Sequence, residues 1–356
     1  MRGYTALVCL SVVNLLLWFV LFKRSSHPMS ATKASSPISA ADSPRELKAG
    51  GPTQAALNVT STNAGPTSEA NITNYLTGHL INPHNYGYVL NVPGACKNKQ
   101  VFLLVLVTAH TKSLKAREAI RNSWASVKEV EGKKIVTLFL LGVDNANSKH
   151  LQNSVVAENG VHRDILQEDF VDNYLNMTLK TIMGLKWVKT YCPHAEYVMK
   201  TDSDMFVNYR GLINYIFKQP RLRYALGYRF DGAKPERRKN KKWYTPLDLY
   251  SDPTYPPYLC GTGYIMSTDV AVAIYDISLQ IRYLSWEDVF VGIGMQQIGI
   301  IPHPEERFDT FAVLYKRKLR CPLHSIFTIH GITPSRMRHI WGQYKREDAY
   351  RTCRAA

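Results

Sequence analysis

Tyr197-Val-Met-Lys-Thr-Asp-Ser-Asp-Met-Phe-Val-Asn208 decides how this chain is read. Tyr197, Val198 and Met199 form a short apolar run that gives way to polar residues, as a buried strand does at its end. Asp202 and Asp204 follow at spacing two. Side chains so spaced share a face of an extended segment, and a turn just past the strand converges them too. Two carboxylates with no sulfur or imidazole beside them are hard oxygen ligands, suited to Mg²⁺ or Mn²⁺ with positions left for a substrate phosphate. Asp and Ser are also ordinary turn residues, so the triplet alone reads as a plain turn as well. Met205-Phe-Val207 then returns to apolar residues, bracketing the acidic pair with core.

Upstream, Val101-Phe-Leu-Leu-Val-Leu-Val107 and Ile135 to Leu141 read as buried strands, and Asp164-Ile-Leu166 as a short one. Helices are expected from Leu114 to Trp124 with Ser113 as cap, from Ala146 to Glu158 and from Asn176 to Tyr191. Alternating strands and helices predict an α/β domain whose mostly parallel sheet is flanked by helices. Ligands of such sheets sit outside the carboxyl ends of the strands, where both Thr108-Ala-His110 and Asp202-Ser-Asp204 fall.

The 356-residue chain has a net charge of +16, of which +13 lies beyond residue 95. A basic folded domain favours anionic partners such as phosphate-bearing small molecules. Tyr4 to Phe22 is almost wholly apolar, long enough at about 1.5 Å per residue to span most of a bilayer core. No small-residue cleavage site follows, which points to an uncleaved signal anchor. The expected organisation is a tail at 1–3, a transmembrane anchor at 4–22, a flexible stem at 23–95 rich in Ser, Ala, Thr, Pro and Gly, and a catalytic domain at 96–356. Flanking charge does not settle orientation. The sequons Asn58-Val-Thr60, Asn71-Ile-Thr73 and Asn176-Met-Thr178 favour a lumenal carboxyl side. Cys9 lies in the apolar run. The five cysteines beyond it predict disulfides, with one thiol free or paired between chains and the connectivity open.

Several motifs occur together: Arg117-Glu-Ala-Ile-Arg-Asn-Ser-Trp124, Glu168-Asp-Phe170 with Tyr174-Leu-Asn-Met-Thr-Leu-Lys-Thr181, Val198 to Asn208, Tyr255-Pro-Pro-Tyr258 with Gly261-Thr-Gly-Tyr-Ile-Met-Ser267, and Glu287-Asp-Val-Phe-Val-Gly292. In this order they resemble the beta-1,3-galactosyltransferase family, from about Cys96 to Trp341. The resemblance implies a GT-A-type, Rossmann-like fold, a single-pass type II Golgi membrane protein with its catalytic domain lumenal, Mn²⁺ and a UDP-sugar donor. It implies transfer of galactose from UDP-galactose, with inversion, to the 3-hydroxyl of an N-acetylhexosamine-terminated glycan on glycoprotein or glycolipid. Transfer of N-acetylglucosamine or N-acetylgalactosamine by the same chemistry is an alternative, as is a catalytically silent sugar-binding Golgi protein. Two departures stand out. Leu259-Cys260-Gly261 replaces the family's Cys-Ser-Gly, moving the cysteine by one, and Arg163 stands where family members often carry Gly.

On this resemblance Asp202 and Asp204 hold the metal, joined by His330, and the metal acts as a Lewis acid on the leaving diphosphate. Arg117 and Arg121, at i and i+4, share a helix face and suit phosphate contact. Trp124 is packing. Lys200 either touches the donor or pairs with Asp202. Inverting displacement needs a carboxylate to take the acceptor proton; the resemblance points to Asp288, with Glu287 orienting donor or acceptor. An acidic helix start is the plain alternative for this pair. Gly261-Thr-Gly263 allows close backbone approach. Tyr255 and Tyr258 line the acceptor site or pack on the core. The basic stretch Pro235 to Trp243 is expected to be a solvated loop near an anionic donor; the chain has no nucleic-acid motif.

Overall fold

Val101–Thr108 (β2) is buried along all eight residues, because both faces of this apolar run are covered. The computed structural model describes residues 80–146, 148–312 and 321–349, all within the compact unit spanning 64–356. The tail, the apolar run 4–22 and the sequons at Asn58 and Asn71 lie outside the described residues. Among the described residues no helix is long and apolar enough to cross a membrane.

The strands are β1 (Tyr88–Leu90), β2, β3 (Glu129–Val130), β4 (Lys133–Val143), β5 (Ile165–Val171), β6 (Tyr197–Asp202), β7 (Phe206–Val207), β8 (Ala225–Phe230), β9 (Tyr258–Ser267), β10 (His303–Pro304), β11 (Phe308–Asp309) and β12 (Thr328–Ile329). The helices are α1 (Leu114–Arg121), α2 (Lys149–His162), α3 (Met177–Tyr191), α4 (Tyr209–Ile216), α5 (Thr268–Ser278), α6 (Glu287–Gln297) and α7 (Pro334–Ala349). The main sheet runs β1-β5-β4-β2-β6-β9-β8-β10, with β3 on β4; β11-β12-β7 form a small second sheet.

The expected α/β architecture is present, but the sheet is mixed. β5, β4, β2 and β6 pair in parallel. Then β9 lies antiparallel between β6 and β8, and β1 runs antiparallel at the far edge. Pairing is therefore as often antiparallel as parallel. The stem expectation is also corrected at its end. His84 is buried and Tyr88–Leu90 pairs with β5, so the folded unit takes in residues that composition assigns to a linker.

Side-chain alternation along β2 divides the core. Leu103, Val105 and Val107 pack with Ile120, Trp124, Leu212 and Met337, the side of α1, α4 and α7. Leu104 and Leu106 pack with Met183, Leu185, Ile274 and Met295, the side of α3, α5 and α6. Gly184 lets α3 lie close: a Cβ there would come within 2.9 Å of the Leu106 and Leu140 side chains. Ser113 does occupy the N-cap of α1, but its side chain makes no cap bond; its carbonyl accepts from the amides of Ala116 and Arg117. Cys96 and Cys192 form a disulfide, Cys321 is disulfide-bonded as well, and the displaced Cys260 is a buried free thiol.

Candidate active site

The parallel register of β2 and β6 sets Thr108 opposite Asp202, at the carboxyl ends of both strands. The Thr108 hydroxyl donates to Asp202 Oδ1, which also accepts from Lys200 Nζ at 2.9 Å. Lys200 and Asp202, two apart on β6, share a face as extended backbone requires. Lys200 Nζ further reaches Gly261 O on β9 at 2.5 Å and Glu287 Oε2 at 3.1 Å. An ammonium has three donors, and all three are taken. Burial alone would pull this lysine's pKa down; Asp202 and Glu287 more than reverse that and hold it above its ordinary value. The structure thus joins Lys200, Asp202 and Glu287, and gives Lys200 the Asp202 pairing rather than a free hand toward a donor.

Glu287 and Asp288 open α6, and an acidic first turn suits a helix amino terminus. Glu287 is buried, and its Oε1 accepts from Thr181 Oγ1 at 2.9 Å and Tyr264 OH at 2.5 Å. Those two hydroxyls come from α3 and β9. They belong to motifs visible in the sequence, but nothing local marks them as partners of a residue over a hundred and over twenty positions away. Asp288 is half-buried. Its Oδ2 accepts from the Gly261 amide at 3.2 Å and its Oδ1 from the Val289 amide at 2.9 Å. Burial, then the neighbouring Glu287 charge, pushes its carboxyl up to about 6. The close approach allowed by Gly261 is to these carboxylates: a Cβ there would stand 3.1 Å from Glu287 Oε2 and 3.3 Å from Asp288 Cβ.

Asp204 follows β6 in a turn and is exposed. Trp124 is fully buried and donates its indole N–H to Met205 O at 2.8 Å, pinning this turn from behind. The antiparallel pairing of β12 with β7 brings His330 to the same turn, with Nε2 3.4 Å from Asp204 Oδ2. Ile332 donates its amide to Asp204 O at 2.7 Å, closing the segment onto the turn. Among the described residues no group of three His, Cys, Asp or Glu side chains forms a ready-made metal cage. The donor set is instead an open carboxylate–imidazole pair, both members partly exposed, beside the strand end that carries Asp202. That chemistry fits a divalent cation taking its other ligands from phosphate and water.

Arg117 and Arg121 are not brought to this site. Arg117 is fully buried, its Nε and Nη2 are on Glu158 at 2.8 and 2.6 Å, and its Nη1 is on His110 O. Arg121 pairs with Glu158 and with Asp164 at 2.7 and 2.8 Å. A fork built for phosphate fits a carboxylate equally well, and here Glu158 of α2 takes it. Tyr255 is buried with its hydroxyl 2.7 Å from Thr245 Oγ1, so core packing describes it. Tyr258 is half-buried, with its ring stacked on Phe230. In the basic stretch, Arg237 is structural, donating to the carbonyls of Thr245, Tyr250 and Asp252. Asn176 is the N-cap of α3, half-buried, with Nδ2 donating to Val171 O at 2.8 Å.

Residues 115–306 match the Galactosyltransferase family. Beta-1,3-galactosyltransferase 1 of Mus musculus and of Homo sapiens is 44% identical over 264 residues, 73% of this chain and 79% of that protein. Beta-1,3-galactosyltransferase 2 of Homo sapiens is 41% identical over 276 residues, 76% of this chain and 64% of that protein. The solved galactosyltransferase LgtC, in complex with donor and acceptor sugar analogues, aligns with a TM-score of 0.35 at 11% identity, covering 68% of this chain and 95% of that one, which is too loose to bear on the site. The family match over residues 115–306 and the 44% identity across most of the folded unit make this chain a member of the galactosyltransferase family.

Proposed function

We propose that the chain transfers galactose from UDP-galactose to the 3-hydroxyl of an N-acetylhexosamine-terminated glycan, forming a β1,3 linkage with inversion. One observation carries the reading: Lys200 spans from Asp202, at the end of β6, to Glu287, beside Asp288, whose affinity for protons is raised. The names of the relatives support the sugar and the linkage.

In this reading Asp288 accepts the proton of the acceptor hydroxyl as that oxygen bonds to the anomeric carbon. The bond from that carbon to UDP breaks on the opposite face, and UDP leaves with the electron pair. A base with a pKa near 6 is ionised at neutral pH yet stronger than an ordinary aspartate. Glu287, fixed by Lys200, Thr181 and Tyr264, orients bound sugar without moving. Asp204 and His330 would hold Mn²⁺, with Asp202 beside them. A cation held there would supply Lewis-acid chemistry, offsetting charge on the departing diphosphate. The apolar run 4–22 and the three sequons support a Golgi membrane anchor with the folded unit lumenal.

A scan of UDP-sugars against N-acetylhexosamine acceptors, with and without chelator, tests this. Galactose transfer that stops on chelation and returns with Mn²⁺ is expected. Turnover of UDP-N-acetylglucosamine alone would overturn the donor, and turnover unchanged by chelator would overturn the metal role.

A further inference from the structure

An aromatic pair stands in water beside one of the sequons. Tyr174 and Leu175 lie in the short 3-10 turn Tyr174–Asn176 that leads into α3, 51% and 53% exposed; Trp243 of the basic loop is 54% exposed. The two rings belong together. Trp243 Nε1 donates to Tyr174 OH at 3.4 Å, and Lys242 Nζ lies 4.1 Å from the Tyr174 ring centre and 5.6 Å from that of Trp243. The loop that carries Trp243 is braced by Arg237 on three carbonyls and by Thr245, whose hydroxyl meets Tyr255 and Trp286. A braced, exposed aromatic pair of this kind offers a flat apolar face with a polar edge to whatever lies against it.

The occupant is encoded in the same turn. Asn176 sits two residues after Tyr174, in Asn176-Met-Thr178. Its amide has two N–H bonds. One is held by Val171 O, which leaves the other for substitution. We propose that Tyr174 and Trp243 seat the chain's own N-linked glycan at Asn176, stacking against the apolar C–H face of its first N-acetylglucosamine. This rests on the lumenal reading above. The modification consumes a lipid-diphosphate-linked oligosaccharide of the secretory pathway: the Nδ2–C1 bond forms, the bond from C1 to the diphosphate breaks, and the amide loses one proton. Attachment precedes folding of this region. In the folded chain Thr178 is fully buried and donates its hydroxyl to Leu284 O at 2.7 Å, out of reach of any enzyme that must read it.

The test uses full-length chain expressed in a secretory-pathway host, with occupancy at Asn58, Asn71 and Asn176 read by mass spectrometry. Melting temperature is then compared between chain trimmed to a single N-acetylglucosamine and Asn176→Gln, in parent, Tyr174→Ala, Trp243→Ala and Tyr174→Phe backgrounds. The single sugar should raise the melting temperature by about 1–6 °C in the parent and in Tyr174→Phe, a shift lost in Tyr174→Ala and reduced in Trp243→Ala. Modification at Asn58 or Asn71 with Asn176 bare overturns the proposal alone. A chain bare at all three overturns the lumenal reading with it. An equal shift in every background shows that the rings do not seat the sugar. No shift in any, with Trp243→Ala instead weakening acceptor binding, would give the surface to the acceptor glycan.

Discussion

Lys200 and Glu287 meet across 3.1 Å, with the same ammonium 2.9 Å from Asp202. One buried cation therefore holds a strand end from β6 against the first turn of α6. Removing one partner of a buried ionic group leaves the others charged and unpaired, which costs about 3–5 kcal/mol. Lys200→Met is expected to lose stability on that scale in denaturant unfolding. A variant that unfolds like the parent and only raises KM for UDP-galactose would return Lys200 to direct donor contact.

Arg163 closes α2 in the left-handed conformation, with φ of 50°. A side chain there costs about 1–2 kcal/mol relative to right-handed backbone, and glycine gives part of that back through its freer unfolded chain. Arg163→Gly should therefore stabilise the protein by about 0.5–1 kcal/mol. Equilibrium unfolding reads this directly; a destabilised variant would mean the Arg163 side chain makes contacts that outweigh its backbone.

Asp288 titrates near 6 because burial and the Glu287 charge disfavour its ionised form. With Asp288 as the proposed base, activity should rise with pH through about 6, where its carboxyl ionises. Stability carries the opposite sign. The folded state holds this proton more tightly than the unfolded chain, so the contribution is greatest below the ordinary aspartate value and is lost as pH climbs through 6. A kcat/KM profile measured alongside melting curves tests both. An acid limb near 4 would show that the carboxyl is unperturbed and would remove it as the tuned group.

Much of this was legible. Val101–Val107, Ile135–Leu141 and Tyr197–Met199 are unbroken apolar runs, which only a sheet covered on both faces accommodates. The antiparallel β9 was not legible as such, because strand direction depends on how a long connection after β8 returns, and no side chain records it. β1 is three residues long and leaves little periodicity to see. Asp202, Asp204, Glu287 and Asp288 stand out in the sequence because carboxylates are rare in such apolar surroundings, and the fold joins Asp202 and Glu287 through Lys200 and Asp204 to His330. From sequence alone Arg117 points toward phosphate, because guanidinium geometry does not distinguish phosphate from carboxylate and its partner Glu158 stands 41 residues away. Thr181 and Tyr264, which fix Glu287, are ordinary hydroxyls until the fold assembles them.

Asp288 is proposed to take the acceptor proton, and Asp288→Asn measures that role most directly. The substitution keeps the size of the side chain and removes the proton acceptor. General-base assistance is worth about 10²–10⁴ in rate, so kcat for galactose transfer should fall by that factor. UDP-galactose affinity should stay near the parent's, while the melting temperature sets the removal of a charge that burial disfavours against the loss of one of the two backbone amides, Gly261 or Val289, that the carboxylate accepts. An Asp288→Asn enzyme that melts early yet keeps a near-normal kcat would contradict the account, leaving Asp288 an acidic helix start and nothing more.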